Sequence, residues 1–397
     1  MEANVAVRYL TPALLLAISF HVQAGGVEVD TTLEFETRNF YSGPSLPGQF
    51  NDDVSASLKP EFKGQVGERD LYWRFTPFGR WDSRDPERRH GDIRELFLLG
   101  VRDDWEFLGG ISKVFWGVAE SNHLVDIVNQ TDNLEGIDGE DKLGQPMLRF
   151  SRAFEQSALT LFALPGFRER QFRSQDDPLS LPFEVDNDPL FESADGADHV
   201  DFAARFSGYL DIVDYGISGF TGTSRDPGFI PGSDGRLVPI YPQISQLGLD
   251  LQVTRDAWLW KLELIHREFD NEDFGEDYEA GVGGVEYTFF GMGDGNYDLG
   301  LLAELSRDSR DDPSTVQFQN DLFLGMRFGF TDAASTEILA GTFIDLDDDT
   351  RFFRVEGSRR VFESARINLE LQAFSNVDPD NVNNHLRDSD FVLLSLE

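Results

Sequence analysis

The sequence predicts an all-β fold: a transmembrane antiparallel up-and-down β-barrel of about eighteen strands, with sixteen as the alternative count and one loop folded into the lumen. Three observations predict it. The chain divides into segments of roughly nine to thirteen residues in which apolar and polar residues alternate, the length a tilted strand needs to cross hydrocarbon. The connections between these segments run short, then long, along almost the whole chain. One long connection, residues 117–144, carries an apolar stripe of its own.

The first element is a leader. Arg8 precedes the apolar run Tyr9–Phe20, and Val22-Gln23-Ala24 places small residues where a signal peptidase reads. The run is too short to cross a bilayer as a helix. Residues 1–24 are therefore expected to be cleaved, leaving 25–397 as one barrel domain, since no linker or change of pattern divides it.

The expected strands are 27–39, 52–64, 69–82, 91–102, 104–116, 145–154, 157–165, 198–209, 211–222, 244–254, 257–269, 278–290, 296–307, 318–330, 335–345, 351–361, 365–374 and 389–397. Some read without ambiguity. Leu247, Leu249, Leu251 and Val253 alternate with Gln246, Asp250 and Gln252, and Ile367, Leu369, Leu371 and Ala373 alternate with Arg366, Asn368, Glu370 and Gln372. The fourth segment is irregular, because Glu95 falls in phase with Ile93, Phe97 and Leu99. Short turns lie at Val66–Glu68, Asp103, Glu155-Gln156, Leu210, Arg255-Asp256, Gly291–Gly295, Thr331–Ala334 and Phe362–Ser364. Longer loops lie at 40–51, 83–90, 117–144, 166–197, 223–243, 270–277, 308–317 and 375–388, and 346–350 is the one short exception. Turns on one side and loops on the other are the mark of an up-and-down barrel.

A soluble β protein shares the two-residue period. No fixed repeat supports a solenoid or propeller. Aromatic residues near strand ends (Trp81, Trp105, Phe115, Trp116, Trp258, Trp260, Phe289, Phe290, Phe330) suit the two interfaces of a membrane. A mean hydropathy of −0.34 does not oppose this, because an alternating strand never shows a continuous apolar run. There is no cysteine, so neither disulfides nor thiolate chemistry is available, and a net charge of −38 excludes nucleic-acid binding, which needs basic surface.

Within the insert, Leu124, Val125, Ile127 and Val128 fall on one side of a short helix, with Asn122, Asp126 and Asn129 on the other, and Ser121 or Asn122 can cap it. Gly136, Gly139 and Gly144 break up the remainder of the insert. The stripe is expected either to enter the lumen and narrow it or to pack on the outer rim or a neighbouring subunit.

The charges divide by place. Eight acids and no base lie between Gln175 and Asp198, six acids lie in Asp270–Glu279, and Asp345, Asp347, Asp348 and Asp349 crowd one loop. These are expected to form a solvated surface sharing divalent cations with lipopolysaccharide. Asp345, Asp347, Asp349 and Glu356 match the ligand spacing of an EF-hand, but Thr350 replaces its glycine and no helices flank it, so no EF-hand is expected. Basic residues sit at polar-facing strand positions: Arg74, Arg80, Arg149, Arg205, Lys261, Arg267, Arg327, Arg354 and Arg366. Glu61, Asp250, Glu263, Glu304, Glu356 and Glu370 share that face. Such residues either pair across strands or form a ladder drawing anions through.

These features resemble the Gram-negative porins, over all of 25–397. Phe115-Trp116-Gly117 followed by Asp126 and Asn129 looks like the Trp-Gly and Asp-x-x-Asn pattern of porin-like families, and more distantly the alginate-export barrel. The resemblance implies passive diffusion of small hydrophilic solutes, anionic ones included, through a lumen narrowed by Trp116, Gly117, Glu120, His123, Asp126, Asn129 and Asp132. Lipid and lipopolysaccharide are the implied surroundings, a homo-oligomer is an option, and no cofactor is implied. One departure is the last residue: such barrels usually end in an aromatic that the assembly machinery reads, and this chain ends at Glu397. Two alternatives remain, a surface adhesin or scaffold, and a rim-site hydrolase. Against the hydrolase, Asp198 and His199 are neighbours on a strand and point to opposite faces, and Ser121 and His123 lack an orienting acid. There is no P-loop, no dinucleotide fingerprint and no His pair at metal-ligand spacing.

Overall fold

A strand in lipid can leave no peptide group unpaired, so a sheet there must close on itself. In the computed structural model, which describes residues 20–24, 26–43, 46–310 and 316–397, it does. The barrel strands are β1 (Val27–Phe40), β2 (Asp52–Gln65), β3 (Leu71–Asp82), β4 (Gly91–Arg102), β5 (Trp105–Ser112), β6 (Gln145–Ala153), β7 (Ser157–Pro165), β8 (Val200–Leu210) and β9 (Val213–Thr223). They continue as β10 (Gln243–Arg255), β11 (Trp258–Phe269), β12 (Tyr278–Gly291), β13 (Tyr297–Asp308), β14 (Asn320–Phe330), β15 (Glu337–Asp345), β16 (Arg351–Phe362), β17 (Ala365–Ser375) and β18 (Phe391–Leu396). Each pairs antiparallel with the next, and β18 returns to β1 through Phe35↔Leu396 to Phe40↔Phe391, closing an eighteen-stranded barrel.

The alternation predicted from sequence fixes which face is which. Leu148, Ile217, Leu247, Leu301, Leu324 and Met326 stand exposed on the outside, whereas Gln246, Asp250, Glu263 and Glu304 are buried inside. This inverts the soluble arrangement, as lipid contact requires. The irregular fourth strand has a local cause. Thr76 pairs with Glu95 but Pro77 pairs with Ile93, so Arg94 is an extra residue that bulges. The bulge reverses the phase: Glu95 shares the inward face with Phe97, while Ile93, Leu96 and Leu98 are exposed.

Short turns close one end, and four of them place an Asp at positive φ (Asp103, Asp211, Asp256, Asp294), a conformation Asp tolerates in a tight turn. Long loops fill the other end. There, a parallel pairing of Leu190–Phe191 with Leu237–Tyr241, and of the latter antiparallel with Gly228–Pro231, ties the loop after β7 to the loop after β9. Phe20–Ala24 pairs with Val27–Thr31 of β1. The rest of the expected leader lies outside the described residues.

Two expectations need correction. The segment expected to run as a strand to residue 116 stops at Ser112, because its continuation turns inward. The insert holds no helix: residues 113–144 form turns, with a single bridge between Thr131 and Lys142. The expected cap does not form either, since the Ser121 hydroxyl donates to Glu304 on β13. β-branched Val125, Ile127 and Val128 favour helix weakly, and here their side chains are claimed by the wall.

Candidate functional site

The loop after β5, residues 113–144, enters the lumen without regular structure, so its peptide groups need partners there. Carboxylates on the wall accept from its N–H groups. Glu263 of β11, fully buried, accepts from Val118 (2.7 Å), Ala119 (2.9 Å) and Val125 (3.2 Å). Glu304 of β13 accepts from Glu120 (3.0 Å) and from Ser121 N–H (2.8 Å) and hydroxyl (2.6 Å). The close approach needs a glycine. Gly117 has φ +131°, and a Cβ there would lie 2.8 Å from Glu263 Oε1.

Arginines accept the complementary task and donate to the loop's carbonyls. Arg88 reaches Leu134 O (2.9 Å), Arg173 reaches Asn133 O and Leu134 O (both 3.0 Å), and Arg225 reaches Val128 O (3.0 Å). Arg88 is fully buried, and Glu36, Asp53 and Asp82 of β1–β3 pair with it at 3.1, 3.2 and 2.7 Å. The loop's own polar residues close its stem. Asn129 accepts from Val114 N–H (3.0 Å) and donates to Ser112 O (3.0 Å) and Leu143 O (2.8 Å). Asp126 accepts from Trp116 N–H and pairs with Lys142. The amphipathic reading put Asp126 and Asn129 on the face opposite the apolar stripe; both are buried, as internal brackets.

The apolar stripe lands on one side of the barrel. Trp116, Val125, Ile127 and Val128 form a buried cluster with Leu108, Met147, Phe162, Leu164, Ala203, Phe220, Ile244, Ile265, Tyr278 and Ala280, the inward residues of β5–β12, and Leu124 packs against it. The opposite side, β13–β18 with β1–β3, keeps the open space. Two cavities result, of about 1180 Å³ toward the long loops and about 980 Å³ toward the short turns. Glu120, Ile137, Asp138, Leu339 and Glu356 border both.

All but one of the wall bases singled out by sequence are matched by acids. At the layer between the cavities, Arg327 pairs with Glu120 (2.6 Å), Lys261 with Glu120 (3.5 Å), and Arg354 with Asp138, Glu356 and Glu370. Arg80 pairs with Glu34, Glu36 and Glu135, Arg74 with Glu61 and Glu95, Arg149 with Glu106, Arg205 with Asp250 and Arg267 with Asp226. Arg366 donates to Ser358. The sequence did not single out Arg88, Arg94, Arg170, Arg173 and Arg225, which lie in or beside the loops rather than at the polar-facing strand positions the alternation picked out.

Burial alone would raise the Glu135 pKa, but the Arg80 guanidinium holds it below the usual carboxylate range. Burial opposes charge on His123 too. Its hydrogen bond to Glu140 (2.7 Å), with Glu263 and Asp126 nearby, outweighs that and moves it above an ordinary histidine. His90, Asp132 and Glu135 present nitrogen and oxygen atoms within 4.8 Å of one another, a grouping that residues so distant in sequence did not reveal. Arg94 already pairs with Asp132 (2.5 Å) and Arg80 with Glu135 (2.7 Å), so a divalent ion would have to displace two guanidinium groups. Ser121 is bound to Glu304 and His123 to Glu140, which leaves no Ser–His dyad, and His199 bonds Asp201 rather than Asp198. Glu356 lies at the inner layer with Arg354, away from the loop of Asp345, Asp347 and Asp349, so the EF-hand spacing has no counterpart in space.

No family model matches the sequence, and no curated protein matches it. Solved structures do. A BenF-like porin from Pseudomonas fluorescens superposes with a TM-score of 0.55 at 9% identity, over 94% of this chain and 97% of its own. OccK11 (OpdR) of Pseudomonas aeruginosa gives 0.51 at 10% identity, over 94% of each chain. Wzi of Escherichia coli, an outer membrane protein involved in group 1 capsule assembly and a carbohydrate-binding β-barrel, gives 0.50 at 9% identity over 92% of this chain and 83% of that one. At such identities the likeness is one of fold.

Two outcomes are expected from the loop's anchoring. Gly117→Ala strains the backbone by about 1–3 kcal/mol and pushes Glu263 aside, so protease should cut the loop of the folded protein faster than in the unaltered chain. His123 contributes stability that is complete below the ordinary histidine pKa of about 6.5 and is lost as pH rises through its raised folded value. The Tm in detergent should therefore fall as pH rises above about 6.5 by more than in His123→Gln, and equal slopes would remove the assignment.

Proposed function

We propose that this chain, which has the fold of the Gram-negative porins, is an outer-membrane channel that passes small hydrophilic solutes by diffusion. The observation that carries the reading is the pair of cavities on either side of one charged layer, with an inward loop packed against one side of the barrel. A barrel of this strand number is too wide for its side chains to fill. The long-loop end faces outward and the short turns face the periplasm, as in barrels of this class.

The sequence left two readings of the wall bases, pairing across strands or a ladder drawing anions through. The contacts of Arg327, Arg354 and Lys261 with Glu120, Asp138, Glu356 and Glu370 support pairing at that layer and a preference there for neutral and zwitterionic solutes, because its bases are matched by acids. The acidic outer loops meet lipopolysaccharide through shared divalent cations. The chain reaches the membrane with a leader cleaved after Ala24, which would remove the Phe20–Ala24 pairing from β1. Sequencing the N-terminus of the membrane-extracted protein checks this, and any start before Gly25 contradicts it.

Planar-bilayer recording tests the channel. Discrete ohmic steps are expected from the purified protein, larger steps after deletion of Glu120–Asp141, and a shift of the reversal potential toward cations in Arg327→Ala with Arg354→Ala. Absence of current would favour the adhesin or scaffold reading. Unchanged step size after the deletion would remove the loop's constricting role.

A further inference from the structure

A water-filled passage has no use for a continuous aromatic surface, because apolar area turned to water is unfavourable. This one has such a surface. On the inward face of β14–β17, Phe323, Phe343, Phe352 and Phe374 stand directly opposite one another in successive strand pairs. Their ring centroids are 4.7, 5.6 and 5.0 Å apart, with interplanar angles of 43°, 24° and 25°. Phe318 adds a ring 5.0 Å from Phe343. All five line the larger cavity; Phe323 is buried beneath the others, which are half-buried. The wall is shaped for this. Gly325 and Gly341 lie under the Phe323 ring, and a Cβ on Gly325 would come within 3.0 Å of it.

The polar groups bordering the band decide what it can hold. On the long-loop side Asp321 and Asp345 face each other across β14 and β15, both buried. They accept only from backbone N–H groups and from Asn381, and among the described residues neither is paired with Lys or Arg. On the other side Arg354 is committed to Asp138, Glu356 and Glu370. Opposite Arg354 in the ladder, Gln372 lines the cavity with only 2% of its surface exposed, and its Nε2 donates to nothing. An aromatic carboxylate would stack on the rings but meet unpaired carboxylates. A quaternary ammonium ion would suit rings and acids but leave the Gln372 N–H groups unsatisfied. A neutral sugar ring meets all three: its C–H face lies on the phenyl rings, its hydroxyls donate to Asp321 and Asp345, and a ring or hydroxyl oxygen accepts from Gln372.

We infer that the Phe318/Phe323/Phe343/Phe352/Phe374 band is a recognition site for neutral saccharides on their way through the barrel. The inference rests on the channel reading and names its solute class. The experiment records the purified full chain in a planar bilayer, first in salt alone and then with maltotriose on the long-loop side. A saturating, reversible interruption of current is expected, read as a fraction of each protein's own open current. Phe343→Leu with Phe352→Leu keeps apolar volume but removes two ring faces, and should weaken the apparent affinity about tenfold. Absence of interruption by maltotriose, an equal effect in the double variant, or stronger interruption by benzoate or choline would each overturn the inference. If the protein carries no current, the channel reading fails on its own; calorimetric titration of maltotriose into the detergent-solubilised protein then decides the site, heat of binding supporting it and none overturning it.

Discussion

Irregular backbone inside a barrel is tolerated only where its peptide groups find partners, and that constraint shapes everything in this lumen. Two glutamates on the wall, Glu263 and Glu304, take five N–H groups of the inward loop between them. Three arginines from other loops, Arg88, Arg173 and Arg225, take its carbonyls. Acceptors come from the barrel strands and donors from the long-loop end. Each charged group is in turn hydrogen-bonded or paired, so the cost of burying it is offset where it lies.

The anchoring is one-sided, and the placement of the open space is a consequence of that. Because Trp116, Val125, Ile127 and Val128 pack on β5–β12, water is displaced from that half, and the free space is pushed against β13–β18 and β1–β3. The edge of the loop facing that space carries Glu120 and Asp138, which meet Arg327 and Arg354 on the far wall. A charged layer between loop and wall is thus produced by packing that occurs elsewhere. The aromatic band lies just above the layer, on the side the loop leaves clear.

Most of the barrel was legible from the sequence, for a physical reason. Lipid on one face and water on the other impose a two-residue period that local context rarely overrides, as in Gln243–Arg255 and Ala365–Ser375. Where it was overridden, at Arg94, the sequence showed only a break of phase at Glu95, and the structure supplied its cause, a bulge. The loop was legible only in part. Its apolar residues declared burial, and Trp116-Gly117 with Asp126 and Asn129 declared a particular geometry only through resemblance. The helix expected there did not form, because groups near in sequence were bonded to Glu263 and Glu304, more than a hundred residues away. Long-range pairing of that kind, like the row of phenylalanines brought together across four strands, leaves no periodic trace.

The chain has no cysteine, which makes the position of the loop directly measurable. A Cβ built on Gly248 of β10 lies 3.5 Å from Cβ of Val125 in the loop, within the range a disulfide spans. Val125→Cys with Gly248→Cys should therefore cross-link under mild oxidation of the folded protein in membranes, giving a species whose gel mobility after denaturation reverts on reduction. If both thiols were instead labelled by an alkylating reagent in the folded protein and no cross-link formed, the loop would not lie against that wall and the account would be wrong.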